Sequence, residues 1–145
     1  MGLIAKALIL TALTLAVWLY AVRWSERRAA ADACTVSYVY DGDTVALECG
    51  IEEVTARVRG LDAPETKSPG CAEELAHGTL ATERLRAILT GGEVSFRREG
   101  MDKYHRVLIR LMVDGADVAE QMIREGLAVA YSGGSRINWC ERLRG

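Results

Sequence analysis

The chain begins with one long apolar run and then breaks into short segments that alternate between apolar and polar residues. Leu3 to Val22 is apolar apart from Lys6 and two threonines. That is about the 20 residues needed to cross a bilayer as a helix. Polar residues do not recur in it at helical spacing, so it reads poorly as the buried helix of a soluble domain. Ser25 to Ala33 follows as a polar, alanine-rich linker. Beyond it, Val36, Tyr38 and Tyr40 alternate with other residues, and Val45 to Leu47 comes after Asp41-Gly42-Asp43. This is a hairpin pattern. Val54, Ala56 and Val58 alternate with Thr55, Arg57 and Arg59, which predicts a third strand with both arginines on one face.

Leu75, Gly78, Thr82, Leu85 and Leu89 recur at three- and four-residue spacing, the mark of one helix face, and Gly91-Gly92 closes it. Val94 to Arg98 and Arg106 to Val113 predict a fourth and fifth strand, the latter ending in an Asp114-Gly115 turn. Asp117 suits the cap of a second helix, with Glu120 at the capping-box position and Gly126 at its end. Leu127 to Tyr131 returns as a short apolar segment. Strands come first, one helix is inserted and another follows. The expected class is α+β, a five-stranded β-barrel with two packed helices, preceded by an N-terminal hydrophobic helix.

At 145 residues the chain is long enough for one domain with a real core. The pattern divides it into residues 1–33, a membrane anchor or signal segment with its linker, and residues 34–145, the folded domain. A cleaved signal would use Ala31-Asp32-Ala33 as a small-x-small site. The length of the apolar run favours a retained anchor. Arg23, Arg27 and Arg28 after the run pull toward a cytoplasmic placement. The cysteines pull the other way. All four lie beyond residue 33 and none forms a Cys-x-x-Cys pair. That suggests two disulfides in an oxidising compartment, with four buried thiols as the alternative. The cysteines are given more weight, so the domain is expected in the periplasm or extracellular space. Four cysteines admit three pairings. The pairing expected is Cys34–Cys49, straddling the hairpin, with Cys71–Cys140, tying the loop before the first helix to the C-terminal tail.

Four of the 18 basic and two of the 20 acidic residues precede residue 34, so the domain carries about −4. A passive nucleic-acid binder is usually basic. The candidate chemistry lies in two acidic turns, Asp41-Gly42-Asp43-Thr44 and Asp62-Ala63-Pro64-Glu65. Each alone is more often a turn former than a site. Together they offer the carboxylate and carbonyl oxygens that a hard cation such as Ca²⁺ prefers. Arg57, before the second turn, and Arg106, in a Lys103-Tyr104-His105-Arg106 run, supply forks that suit phosphate. Metal-assisted phosphodiester cleavage is the chemistry this combination suggests.

Taken in order and spacing, three segments resemble the signature of the staphylococcal-nuclease (thermonuclease) family. They are Asp41-Gly42-Asp43-Thr44, Arg57-x-x-Gly60-Leu61-Asp62-Ala63-Pro64-Glu65-Thr66, and Asp102-Lys103-Tyr104-x-Arg106. The resemblance covers roughly residues 36–131. It implies an OB-fold barrel and a Ca²⁺-dependent nuclease acting on DNA and/or RNA with broad sequence tolerance. It further implies Asp43, Asp62 and the backbone carbonyl of Ala63 as metal ligands, and Glu65 as the residue that activates or orients water. Arg57 and Arg106 would grip the scissile phosphate, and Asp41 would support the ligands from behind. Lys103, Tyr104 and Tyr131 would touch substrate, with a solvated loop and core packing as their structural alternatives. Arg59 reads as a surface strand charge, and His77 as a surface residue. His105 stands where the family usually has glycine, and is read as structural. A monomer is expected. The competing expectation is a catalytically inactive OB-fold module that binds nucleic acid or another partner at the cell envelope.

Overall fold

The computed structural model describes residues 2–32 and 34–145. The chain divides into two compact units, Met1–Cys34 with Cys49–Ile51, and Thr35–Glu48 with Glu52–Gly145. The first is dominated by helix α1 (Leu3–Asp32). Its Leu8–Ser25 stretch has a mean hydropathy of 1.5 and is long and apolar enough to cross a membrane. The linker expected after the apolar run is helical through Asp32. Its Arg, Glu and Ala residues are good helix formers, and it holds no Gly or Pro to break the ladder. Ala33, the last residue of the candidate signal-cleavage sequence, lies outside the described residues. A disulfide joins Cys34 to Cys49, with an S–S distance of 2.04 Å.

Strands β1 (Cys34–Val39) and β2 (Thr44–Cys49), which apart from their cysteines belong to the second unit, are followed by β3 (Glu52–Val58), and β4 (Gly60–Asp62) carries the chain to the second acidic turn. Helix α2 (Ala72–Thr90) comes next, then β5 (Val94–Met101), β6 (Val107–Val113) and β7 (Ala116–Asp117). Helix α3 (Val118–Arg124), β8 (Val129–Tyr131) and a short helix α4 (Trp139–Arg144) complete it. The main sheet runs β1-β2-β3-β6-β5 with β7 beside β6, and β4 pairs with β8 separately. The fold is α+β with a curled OB-type sheet. Its five expected strands are β1, β2, β3, β5 and β6, and the three added ones are two or three residues long.

Two pairings position the site. β3 and β6 run parallel, with Arg57 opposite Leu108 and Ala56 opposite Val107. The loop that ends in Arg106 is therefore delivered beside Arg57. β4 and β8 run antiparallel, with Gly60 opposite Tyr131 and Asp62 opposite Val129. Asp117 caps α3 as its position predicts, accepting from the Ala119 and Glu120 amides.

The buried face of α2 keeps Gly78, Thr82 and Leu85 of the expected face and turns away from Leu75 and Leu89. It is Glu74, Gly78, Ala81, Thr82, Leu85 and Ile88, while Leu75 is exposed. The helix turns its small residues inward because it packs closely on the acidic turns. A Cβ at Gly78 would lie 2.8 Å from the Pro64 carbonyl oxygen, and one at Gly42 would lie 2.7 Å from the Ala63 methyl. The core beneath is apolar, with Leu47, Leu61, Leu85, Ile109, Leu111 and Met122 fully buried. Each contributes roughly 1.5–3 kcal/mol by leaving water. The tail adds α4, a third helix on this domain, capped by the Asn138 side chain.

Candidate active site

Arg57 projects from the end of β3 into the two acidic turns. Its Nη1 lies 3.0 Å from Asp43 Oδ1 and its Nη2 3.0 Å from Asp62 Oδ1. All three side chains are nearly sealed from water. Asp43 Oδ1 also accepts from the Thr44 hydroxyl at 2.8 Å, and Oδ2 from the Ala63 amide at 3.2 Å. Asp41 accepts from the Asp43 amide at 3.0 Å, so it shapes the turn behind the cluster. Burial pushes the Asp43 carboxyl up to about 6, with the Arg57 guanidinium pulling it down and Asp41 adding to the rise. Among the described residues, no buried side-chain polar atom lacks a hydrogen-bond partner.

A second guanidinium, from Arg136, enters from the tail. Its Nε donates to Asp62 Oδ1 at 2.5 Å and its Nη2 to the Ala63 carbonyl at 3.0 Å. Its Nη1 donates to the Glu65 carboxylate. Burial alone would lower the Arg136 pKa, but Glu65 and Asp62 outweigh it and the pKa is raised. Trp139 Nε1 donates to the other Asp62 oxygen at 3.2 Å. Three of the four oxygen donors expected to bind metal or water thus converge on one cationic group. Two carboxylates and a carbonyl are the donor set of a hard divalent cation. They already hold a positive charge, each through a different nitrogen of the Arg136 guanidinium. Asp43 joins the cluster through Arg57.

Glu65 is oriented from behind. Glu74, on the buried face of α2, accepts from the Glu65 amide at 3.1 Å and from the Gly70 amide at 2.7 Å. Beside Glu74 sits the Cys71–Cys140 disulfide, which fixes the tail carrying Arg136 and Trp139.

From the acids a groove of about 1020 Å³ opens along the barrel. Arg106, Lys103, Tyr104 and Tyr131 line it together with Arg57 and Glu65. Arg106 is held by Asp102, with Nε 2.8 Å from Oδ2. Burial would raise the Asp102 carboxyl, but Arg106 and the Tyr104 amide hold it low. Lys103 Nζ and the Arg106 guanidinium lie 5.0 and 5.6 Å from the Tyr104 ring centre. Tyr131 lies 5.7 Å from the Arg57 guanidinium and donates its hydroxyl to the Gly134 carbonyl. It is half-buried at the groove rather than packed in the core. His105 takes φ 63°, the left-handed conformation that its turn position demands. His77 is half-buried, 2.9 Å from the Gly126 carbonyl, where a surface residue was expected.

The structure brings Asp43, Arg57, Asp62, Ala63 and Glu65 into one cluster and sets Arg106, Lys103, Tyr104 and Tyr131 along the adjoining groove. Sequence reasoning missed Glu74, Arg136 and Trp139. Glu74 had a signal, being an acid at helical spacing with Gly78 and Thr82. Trp139 had one too, as the neighbour of a cysteine expected to reach α2. Arg136 lies in a Gly-Gly-Ser-Arg stretch that carries no local mark.

An OB-type sheet with acidic turns at one end of an arginine-lined groove defines a class, and comparison with known proteins agrees with it. The family model described as staphylococcal nuclease homologue matches residues 55–140. The chain belongs to that family. It is 34% identical over 101 residues to endonuclease YncB of Bacillus subtilis, covering 67% of this chain and 47% of the relative. It is equally identical over 101 residues to the SPbeta prophage-derived endonuclease YokF of the same organism, covering 34% of that protein. An uncharacterized endonuclease of Haemophilus influenzae is 28% identical over 101 residues, 53% of its length. The chain therefore spans about half or less of these curated relatives.

Proposed function

We propose that this protein is a Ca²⁺-dependent nuclease that hydrolyses phosphodiester bonds of DNA and/or RNA with broad sequence tolerance. The observation that carries the reading is the convergence of Asp62, the Ala63 carbonyl and Glu65 on a single positive charge, at the mouth of a groove lined by Arg57 and Arg106. Family membership and relatives named endonucleases support it.

Asp43, Asp62 and the Ala63 carbonyl would hold the cation. When bound, it supplies positive charge beside the scissile phosphate. Arg57 and Arg106 offer forked donors to the phosphate oxygens, whose charge grows in the transition state. Glu65, held by Glu74, takes or directs the proton of the attacking water. Water adds to phosphorus as the bond to the leaving oxygen breaks. Lys103 and Tyr104 at the rim, and Tyr131 beside Arg57, steady the strand by charge and stacking. Contacts to phosphate rather than to base edges give broad sequence tolerance. We place the domain, a monomer, outside the cytoplasm, where its disulfides persist. Helix α1 then serves as anchor or signal.

A second reading, an inactive OB-fold binding module, has one observation in its favour. Arg57 and Arg106 are both engaged with carboxylates rather than turned free into the groove. The full chain in detergent, incubated with single- and double-stranded DNA and with RNA, in Ca²⁺ or chelator, separates the two. Cleavage that needs Ca²⁺ and is lost in Arg106→Ala upholds the nuclease. Binding without cleavage under every condition upholds the module.

A further inference from the structure

Arg136 is the largest feature of the site that the proposed chemistry leaves unused. Its guanidinium takes Asp62 Oδ1, the Ala63 carbonyl and a Glu65 oxygen at once. Two of these are cation ligands in the proposed function, and the third is the water-directing acid. A guanidinium and a divalent cation cannot both sit at these oxygens. The positive charge still counts while no metal is bound: Arg57 covers part of the buried Asp62 charge, but Glu65 takes its ion pair from Arg136. A buried carboxylate left unpaired is costly.

Arg136 is also built to leave. Its side chain is 35% exposed, against 1% for Asp62. It stands in a stretch that begins with Gly133 and Gly134, both at positive φ, and it lines the groove. Behind it the tail is fixed by the Cys71–Cys140 disulfide and by Trp139. A displaced guanidinium would thus stay tethered beside the oxygens it left.

We infer that Arg136 is a tethered counter-cation that competes with the divalent ion for Asp62, Ala63 and Glu65, so that loading the site is an exchange. This deepens the proposed function and rests on its cation site. The exchange lowers the apparent affinity for the ion, since each binding event must first break three charge-assisted hydrogen bonds. The threshold moves toward the weak binding that suits cation-rich surroundings outside cells.

Calorimetric titration of Ca²⁺ into the full chain in detergent tests this, with Arg136→Gln and Arg142→Gln compared. Arg142 is an exposed arginine of the same tail, so its variant removes the same formal charge without touching the site. Arg136→Gln is expected to bind Ca²⁺ at least about tenfold more tightly, a shift of about 1.4 kcal/mol, and Arg142→Gln within about twofold of the parent. Melting provides a second readout. Arg136→Gln should melt below the parent in chelator, and the deficit should vanish at saturating Ca²⁺. A merely structural arginine would give a deficit in both conditions. Equal or weaker Ca²⁺ binding by Arg136→Gln, or a deficit that persists in Ca²⁺, overturns the inference while leaving the nuclease reading intact. Absence of Ca²⁺ binding in both parent and variant overturns the inference together with the proposed cation site.

Discussion

Arg57 and Arg110 each bridge two carboxylates, but in different surroundings. Arg57 joins Asp43 to Asp62, with side chains 10%, 5% and 1% exposed. Arg110 joins Glu99 to Asp117 on the more exposed part of the sheet, at 46%, 12% and 12%, with Glu99 also reaching the groove's lining. Arg59 and Arg97 add further pairs to Glu99. Water and salt can replace any one partner in the outer group, so its pairs are individually weak. In the buried group, loss of one partner strands a charge in a poorly solvating interior. The same residue types make a replaceable surface network in one place and an all-or-none cluster in the other.

The sharpest test of the contrast is catalytic. Glu65→Gln should lower cleavage by about 10²–10⁴-fold, the usual worth of a positioned acid or base. Asp117→Asn, in the outer group, should leave cleavage unchanged, since Asn also caps a helix. Initial rates on fluorescent oligonucleotides decide it, and equal effects would erase the distinction. Stability comes next. In chelator, Arg57→Ala should lose about 3–5 kcal/mol by urea unfolding, while Arg110→Ala leaves the urea midpoint within error. Removing the Cys71–Cys140 bond by a double serine substitution should cost up to about 4 kcal/mol for a loop of this length. It should also release Trp139 from Asp62, visible in the tryptophan fluorescence, while the outer group is undisturbed.

The smallest effect belongs to the outer group. Hydrogen bonds from Arg97 and Arg110 hold the Glu99 carboxyl at about 2, below its usual 4.5. A depressed carboxylate pKa stabilises the fold above the unfolded value, and that contribution is lost as pH falls from about 4.5 toward 2. Melting temperature followed across this window should fall less steeply in Glu99→Gln than in the parent, and the difference should shrink in high salt. A slope unaltered by the substitution would remove Glu99 from the account.

Much of the barrel could be read from local signals. Asp117 caps α3, Gly126 follows it, and the alternation of Val54 to Arg59 marks β3, because each rests on neighbours a few residues away. The acidic turns and their arginines were legible for the same reason: Arg57 and Asp62 are five residues apart. The buried face of α2 was legible in part: Gly78, Thr82 and Leu85 lie on it as expected, but leucine spacing also drew in the exposed Leu75 and gave no sign of Glu74 or Ala81. Arg136 and Trp139 meet Asp62 across 74 and 77 residues of chain. No periodicity or turn rule extends that far, and only the expected Cys71–Cys140 link pointed toward their region.

That separation also orders the making of the protein. Synthesis runs from the N-terminus, so Asp43, Asp62 and Glu65 emerge well before Arg136 and Trp139. Until residues 136–139 appear, the acids lack one of the two guanidiniums that neutralise them and the indole that seals Asp62. Contacts of such long range form slowly and late. The growing chain therefore carries an unfinished cluster, and the site matures only when the tail docks.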